Sequence, residues 1–212
     1  MIRRTGKAIT GITLVEVMIV VSILAVLATL AAPNLSELFI RNRLDTVSNE
    51  FETTLNFARS EAMRRGAKIV VRQADGSATR QWNKGWEVFV DLPSAGAPEG
   101  NNLRDAGEEL LRVGQELNPS LTFYSSRNAQ TLIYFSADGR AVTPVNFFHF
   151  VLCYVENGQP AIATADRRPR SRAVMVSDSG RIKRTQPNDS GRLIVDSASS
   201  SGTAEVTDCR NP

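Results

Sequence analysis

One stretch constrains this chain more than any other. From Ile12 to Ala32 the sequence reads ITLVEVMIVVSILAVLATLAA, with one charged side chain, Glu16, inside it. A helix of that length rises roughly 30 Å, the thickness of the hydrocarbon layer of a bilayer. Arg3, Arg4 and Lys7 precede it, and basic residues on the short side keep that side cytoplasmic. The pattern predicts a membrane helix with the rest of the chain exported. A cleaved secretory signal is the competing reading. Its apolar region runs only about 7–15 residues and ends on small residues; Ala31-Ala32 imitates such an end, but the run here is longer and Pro33-Asn34 follows directly. That reading leaves Glu16 unexplained. A carboxylate inside a membrane helix costs a few kcal/mol and points to function, although a charge this near the interface can also snorkel to water.

The residues around Glu16 carry a resemblance. Gly11-Ile12-Thr13-Leu14-Val15-Glu16 resembles the processing motif of type IV prepilins, G-[F/I/M]-T-L-x-E, with Ile12 in place of the commoner phenylalanine. The resemblance implies that a prepilin peptidase cuts between Gly11 and Ile12 and methylates Ile12, leaving Glu16 as the fifth residue. It also implies assembly with other pilins. In a filament the Glu16 carboxylate of one subunit meets the amine of its neighbour, so both buried charges are compensated. Pro33 is expected to end or kink the membrane segment, because it lacks an N–H and crowds the preceding turn.

Past Pro33 the pattern turns amphipathic. Leu35, Leu38, Phe39, Leu44, Val47, Phe51, Leu55, Ala58 and Ala62 recur at spacings of three and four, which predicts a helix continuing to about Arg65, stopped by Gly66, with its stripe on a sheet. Short β-branched or alternating segments follow: Lys68–Arg72, Trp86–Asp91, Leu121–Tyr124, Leu132–Phe135, Phe147–Tyr154, Ala173–Ser177 and Leu193–Asp196. Strands without intervening helices imply an antiparallel sheet. Residues 93–102 (PSAGAPEGNN) read as a mobile loop. No internal repeat is evident. The expected fold class is α+β: a long N-terminal helix, half transmembrane, packed on an antiparallel β-sheet. Its expected parts are a leader (1–11), a transmembrane helix (12–32), a periplasmic continuation of that helix (33–66) and a β-rich periplasmic head (67–212).

The later segments resemble one pilin branch, the GspH/FimT pseudopilins. They are Phe57-Ala58-Arg59-Ser60-Glu61-Ala62 with Arg64-Arg65-Gly66, Gly85-Trp86 with Val88–Asp91, Phe135–Gly139, Leu152-Cys153, and Val174–Ser177 through Gly180-Arg181. Residues 94–130 match no such segment.

The remaining chemistry is sparse. Cys153 and Cys209 are the two cysteines; in an exported domain such a pair reads as one disulfide, with two buried thiols as the alternative. The lone histidine, His149, lies in an apolar run and is expected to be a strand residue with a satisfied hydrogen bond. No nucleophile elbow accompanies it, and one histidine with two paired cysteines leaves too few ligands for zinc. Glu99, Asp105, Glu108 and Glu109 could offer oxygens to calcium, without EF-hand spacing. No catalytic, cofactor or metal site is expected, and the chain reads as a substrate of the peptidase rather than an enzyme.

Charge is the last signal. Without the leader, 22 basic residues face 22 acidic ones, so net charge says nothing about partners. Distribution does. Arg167, Arg168, Arg170, Arg172, Arg181, Lys183 and Arg184 crowd two short segments that read as exposed loops, and arginine forks bind phosphate and carboxylate well. Gly180-Arg181-Ile182-Lys183 resembles, with a lysine departure, a Gly-Arg-x-Arg element associated with DNA binding in some FimT-type minor pilins. The expected function is a minor pilin or pseudopilin of a type IV pilus or type II secretion system, seated in the inner membrane. The alternative is a pilus-associated DNA-binding subunit. A contact with acidic neighbours, such as the 87–116 stretch of another subunit, is the third reading of the arginines.

Overall fold

The computed structural model describes residues 11–77, 79–94, 96–98, 100–126, 131–142, 147–156, 158–162, 170–196 and 203–210, with backbone alone at 30–34, 147, 196, 203 and 204. One helix, α1, spans Leu14–Arg65. Thr13 begins it: its Oγ1 accepts the Glu16 N–H and its carbonyl accepts the Val17 N–H, each at 3.2 Å. With Glu16 three residues on, this is the Thr-x-x-Glu arrangement that satisfies first-turn donors. Gly66 ends the helix. Its φ of 62° turns the chain so that the Ala67 N–H reaches back to the Ala62 carbonyl at 3.3 Å. Of the two outcomes expected at Pro33, an end to the helix does not occur. Pro33 lies within α1, where it removes one N–H from the ladder while the bonds on either side continue.

The chain divides into two units, Met1–Phe39 and Ile40–Pro212. In the first, the large apolar side chains from Ile12 to Leu27 are at least half exposed. Among the described residues no helix is long and apolar enough to cross a membrane. The described side chains of the apolar run stop at Thr29, and its continuation to Ala32 is known from the sequence alone.

In the second unit, Leu44, Ser48, Phe51, Leu55, Ala58 and Ala62 are buried at alternating spacings of four and three, the period of one helix face. The predicted stripe is therefore core from Leu44 onward. Its first members, Leu35, Leu38 and Phe39, are instead exposed, and Val47 is only partly buried.

Among the described residues twelve strands follow: β1 (Lys68–Gln73), β2 (Trp86–Asp91), β3 (Leu110–Val113), β4 (Leu121–Ser125), β5 (Leu132–Phe135), β6 (Ala141–Val142), β7 (Phe147–Glu156), β8 (Gln159–Ala161), β9 (Ser171–Ser177), β10 (Ile182–Thr185), β11 (Leu193–Asp196) and β12 (Thr203–Val206). They form one sheet in the order β3-β2-β1-β5-β6, a second in the order β10-β9-β7-β4 with β8 on β7, and the hairpin β11-β12. Every pairing is antiparallel.

Side-chain alternation then decides the layers. Ile69, Val71, Trp86, Val88, Val90, Ile133 and Phe135 of the first sheet join Phe123, Phe148, Phe150, Leu152, Val174 and Val176 of the second in one core with the helix. Phe51 stands at its centre, edge-on to Trp82, Trp86, Phe123 and Phe150 at 4.7–5.7 Å between ring centres. Such contacts add about 0.5–1.5 kcal/mol each beyond area burial.

The opposite faces differ in chemistry. On the first sheet the cross-strand partners are Lys68–Asp91, Val70–Phe89 and Arg72–Glu87. The two outer pairs are ion-paired, at 2.8 and 2.5 Å. On the second sheet Val151, Cys153, Ala173 and Met175 pack with Leu193, Val195, Val206 and Cys209 as a second, smaller core. Cys153 and Cys209 are bonded to each other, with Cα atoms 6.3 Å apart.

Candidate functional site

The N-terminal motif sits on the exposed first unit. Ile12 is 76% exposed, and Glu16 is exposed in the first turn of α1. A Cβ added to Gly11 would meet nothing within 4 Å, so the fold itself does not require glycine there. Contrast Gly180, at a φ of 75°, where a Cβ would overlap the Gly139 carbonyl oxygen.

The arginine cluster is not the single exposed surface that the sequence suggests. Arg167 and Arg168 lie outside the described residues. Arg170 and Arg172 are buried: the 170–172 segment leads into β9 rather than forming a loop. Arg172 carries its charge inward to Asp45 on α1, with Nε–Oδ1 at 2.7 Å and Nη2–Oδ2 at 3.2 Å. Arg170 stacks over the Tyr154 ring at 5.2 Å. Arg181, Lys183 and Arg184 are all exposed, and Arg184 turns to Glu52 at 3.9 Å. Lys183 and Arg184 face opposite sides of β10 by strand alternation.

A repeat escaped the sequence reading. Ser136-Ala137-Asp138-Gly139-Arg140, Ser177-Asp178-Ser179-Gly180-Arg181 and Asn188-Asp189-Ser190-Gly191-Arg192 are one turn made three times. In each the first N–H donates to the arginine carbonyl and the glycine N–H donates back to the first carbonyl, all at 2.8–3.0 Å. Each glycine has φ between 75° and 79°. The first two turns are joined. Ala141 N–H donates to the Asp178 carbonyl at 3.0 Å. Arg59 on α1 donates to the Gly139 carbonyl at 2.9 Å and the Ser179 carbonyl at 3.2 Å. The signal lay in the recurring Gly-Arg pair, too short to register as a repeat.

Much of the acidic 87–116 stretch is ion-paired within the chain. Glu87 takes Arg72 and Arg104, Glu109 takes Arg65, and Glu116 takes Lys84. The Arg65 hydrogen bond holds the Glu109 carboxyl below its ordinary range. Glu108 accepts the Leu92 and Asp105 backbone N–H groups at 2.8 Å. The 93–102 loop is organised around buried Asp91, whose carboxylate accepts the Asn101 and Asn102 N–H groups at 3.1 and 3.0 Å. Among the described residues no group of three or more His, Cys, Asp or Glu could hold a metal; Glu99 lies outside them. A cavity of about 420 Å³ borders Lys68, Asp91 and Tyr134, but its carboxylate is already bound as described.

His149 corrects another expectation. Its Nε2 is buried with no hydrogen-bond partner among the described residues. Burial pushes the imidazole down to about 4, so it is neutral at pH 7.

A family model described as type II transport protein GspH matches residues 47–180, well over half of the chain. The chain belongs to the GspH family. The matched span runs from the core stripe of α1 to the glycine of the second joined turn and leaves out the N-terminal motif. No curated relative matches. Among solved structures, the type IV minor pilin FimU of Pseudomonas aeruginosa (strain PAO1) aligns at 21% identity over 80% of this chain and 96% of its own, with a TM-score of 0.49. The minor pseudopilin EpsH of the Vibrio cholerae type 2 secretion system aligns at 12% identity over 69% of this chain and 98% of its own, with a TM-score of 0.44.

Proposed function

We propose that this GspH-family chain is a minor pilin or pseudopilin, a structural subunit and not an enzyme, built with other pilins into a type IV pilus or a type II secretion pseudopilus. In this reading a prepilin peptidase cuts after Gly11 and methylates Ile12. Residues 12–32 anchor the subunit in the inner membrane, and the head lies in the periplasm. The observation that carries it is the first unit: an apolar helix surface exposed from Ile12 to Leu27, with Glu16 alone among apolar neighbours. A surface of that kind needs lipid or other helices around it. The carboxylate then needs a counter-charge, which the new amine of an adjacent subunit supplies.

The test has two arms. Intact mass of the membrane-extracted protein is expected to show a chain beginning at methylated Ile12; a start at Asn34 would refute the anchor. Glu16→Ala is expected to leave unfolding of the head unchanged while reducing incorporation into filaments. Normal incorporation would remove the charge-pairing argument.

The DNA-binding alternative loses support, because Arg170 and Arg172 are occupied inside the head.

A further inference from the structure

We propose that the joined turns 136–140 and 177–181 are a contact surface for an acidic face of a neighbouring subunit, with Arg140 and Arg181 supplying the charge; the inference rests on the filament-subunit reading. Both arginines are exposed, and among the described residues neither guanidinium has an ion pair or hydrogen bond. Most other described arginines of the head are engaged internally. Arg65, Arg72, Arg104, Arg172 and Arg184 hold carboxylates. The third copy of the turn makes the contrast sharpest, since its Arg192 is paired with Glu205 at 3.3 Å.

The platform beneath Arg140 and Arg181 is rigid. Arg59 grips both turns, and Gly180 lies so close to the Gly139 carbonyl that no side chain fits between them. Arg59 meets carbonyl oxygens there, so with Arg140 and Arg181 it makes three cations against the two carboxylates of the turns, Asp138 and Asp178. Two guanidiniums presented from a fixed base lose little freedom on binding, which favours a specific contact. Each can take a carboxylate in a bidentate fork. A nucleic acid is the poorer fit. Phosphate-backbone binding strengthens with each phosphate neutralised, and the exposed cations described beside these turns are few: Arg140, Arg181 and Lys183, with Arg184 exposed but turned to Glu52.

The experiment uses the full chain in the membranes of cells that assemble the filament. Arg140→Glu with Arg181→Glu is expected to lower incorporation roughly tenfold, because a repulsion replaces each attraction. Arg192→Glu should leave incorporation at the wild-type level, its guanidinium being already neutralised. A photo-cross-linking residue in place of Ser179 should give an adduct with another pilin-like subunit. Unfolding of the double variant should match wild type, which separates lost contact from lost fold. Wild-type incorporation of the double variant overturns the proposal. So does a labelled duplex that binds the wild-type chain at low salt and is released by the double variant, which would assign the surface to nucleic acid. If the wild-type chain is never incorporated, the filament reading fails and this contact falls with it.

Discussion

Removing the Cys153–Cys209 bond is the sharpest perturbation of the head. The bond joins residues 56 apart. In the chain-entropy description, closing a loop of that size in the unfolded chain is worth about 4 kcal/mol of stability. The structure adds a reason for the loss to be local as well as global. Both cysteines are buried, in the second core formed where Leu193, Val195 and Val206 cover Val151, Ala173 and Met175. Among the described residues the hairpin β11-β12 pairs only with itself, so apolar contact and the disulfide are what fix it to β7 and β9. Urea unfolding of the 40–212 unit should therefore show Cys153→Ala with Cys209→Ala less stable by about 4 kcal/mol, with a steeper slope because the unfolded chain expands. Amide exchange should accelerate first in β11 and β12. A loss under about 1 kcal/mol, with those amides still protected, would refute the reasoning.

Three further outcomes follow from single groups. His149 has an ordinary value of 6.5 and a folded value of about 4, so on acidification the unfolded chain takes up the proton first; stability should fall from pH 6.5 down to about pH 4, by about 3 kcal/mol in total, and urea titrations of His149→Gln should show a flatter profile. Gly180→Ala should cost at least about 2 kcal/mol, because it adds a clash with Gly139 to the strain of a left-handed φ; Gly158→Ala, with φ 76° and nothing within 4 Å, should cost only about 1 kcal/mol. Asp45→Ala leaves the buried Arg172 guanidinium with the Ser171 carbonyl as its partner among the described residues and should cost about 2 kcal/mol, whereas Arg172→Met should cost clearly less; equal losses in thermal or urea unfolding would show that the pair acts through packing alone.

The sequence by itself determined the periodic parts. Leu44, Phe51, Leu55, Ala58 and Ala62 repeat at the helix period, and strands β1, β2, β4, β5, β7, β9 and β11 carry apolar runs strong enough to read. Gly66 as the helix stop and the cysteine pair were legible for the same reason, since each is a local rule. The strands β3, β6, β8, β10 and β12 were not, because two to four residues at a sheet edge leave too few positions for a period to show. Tertiary structure alone decided the charges. Arg172 and Arg181 look alike in the chain, yet one meets Asp45, 127 residues away, and the other meets solvent. It also decided that turns 136–140 and 177–181 stand together and that Glu87, Glu109 and Glu116 find their cations within the chain. Charge pairing depends on distances of a few ångströms between residues far apart in sequence, and only the folded chain sets those distances.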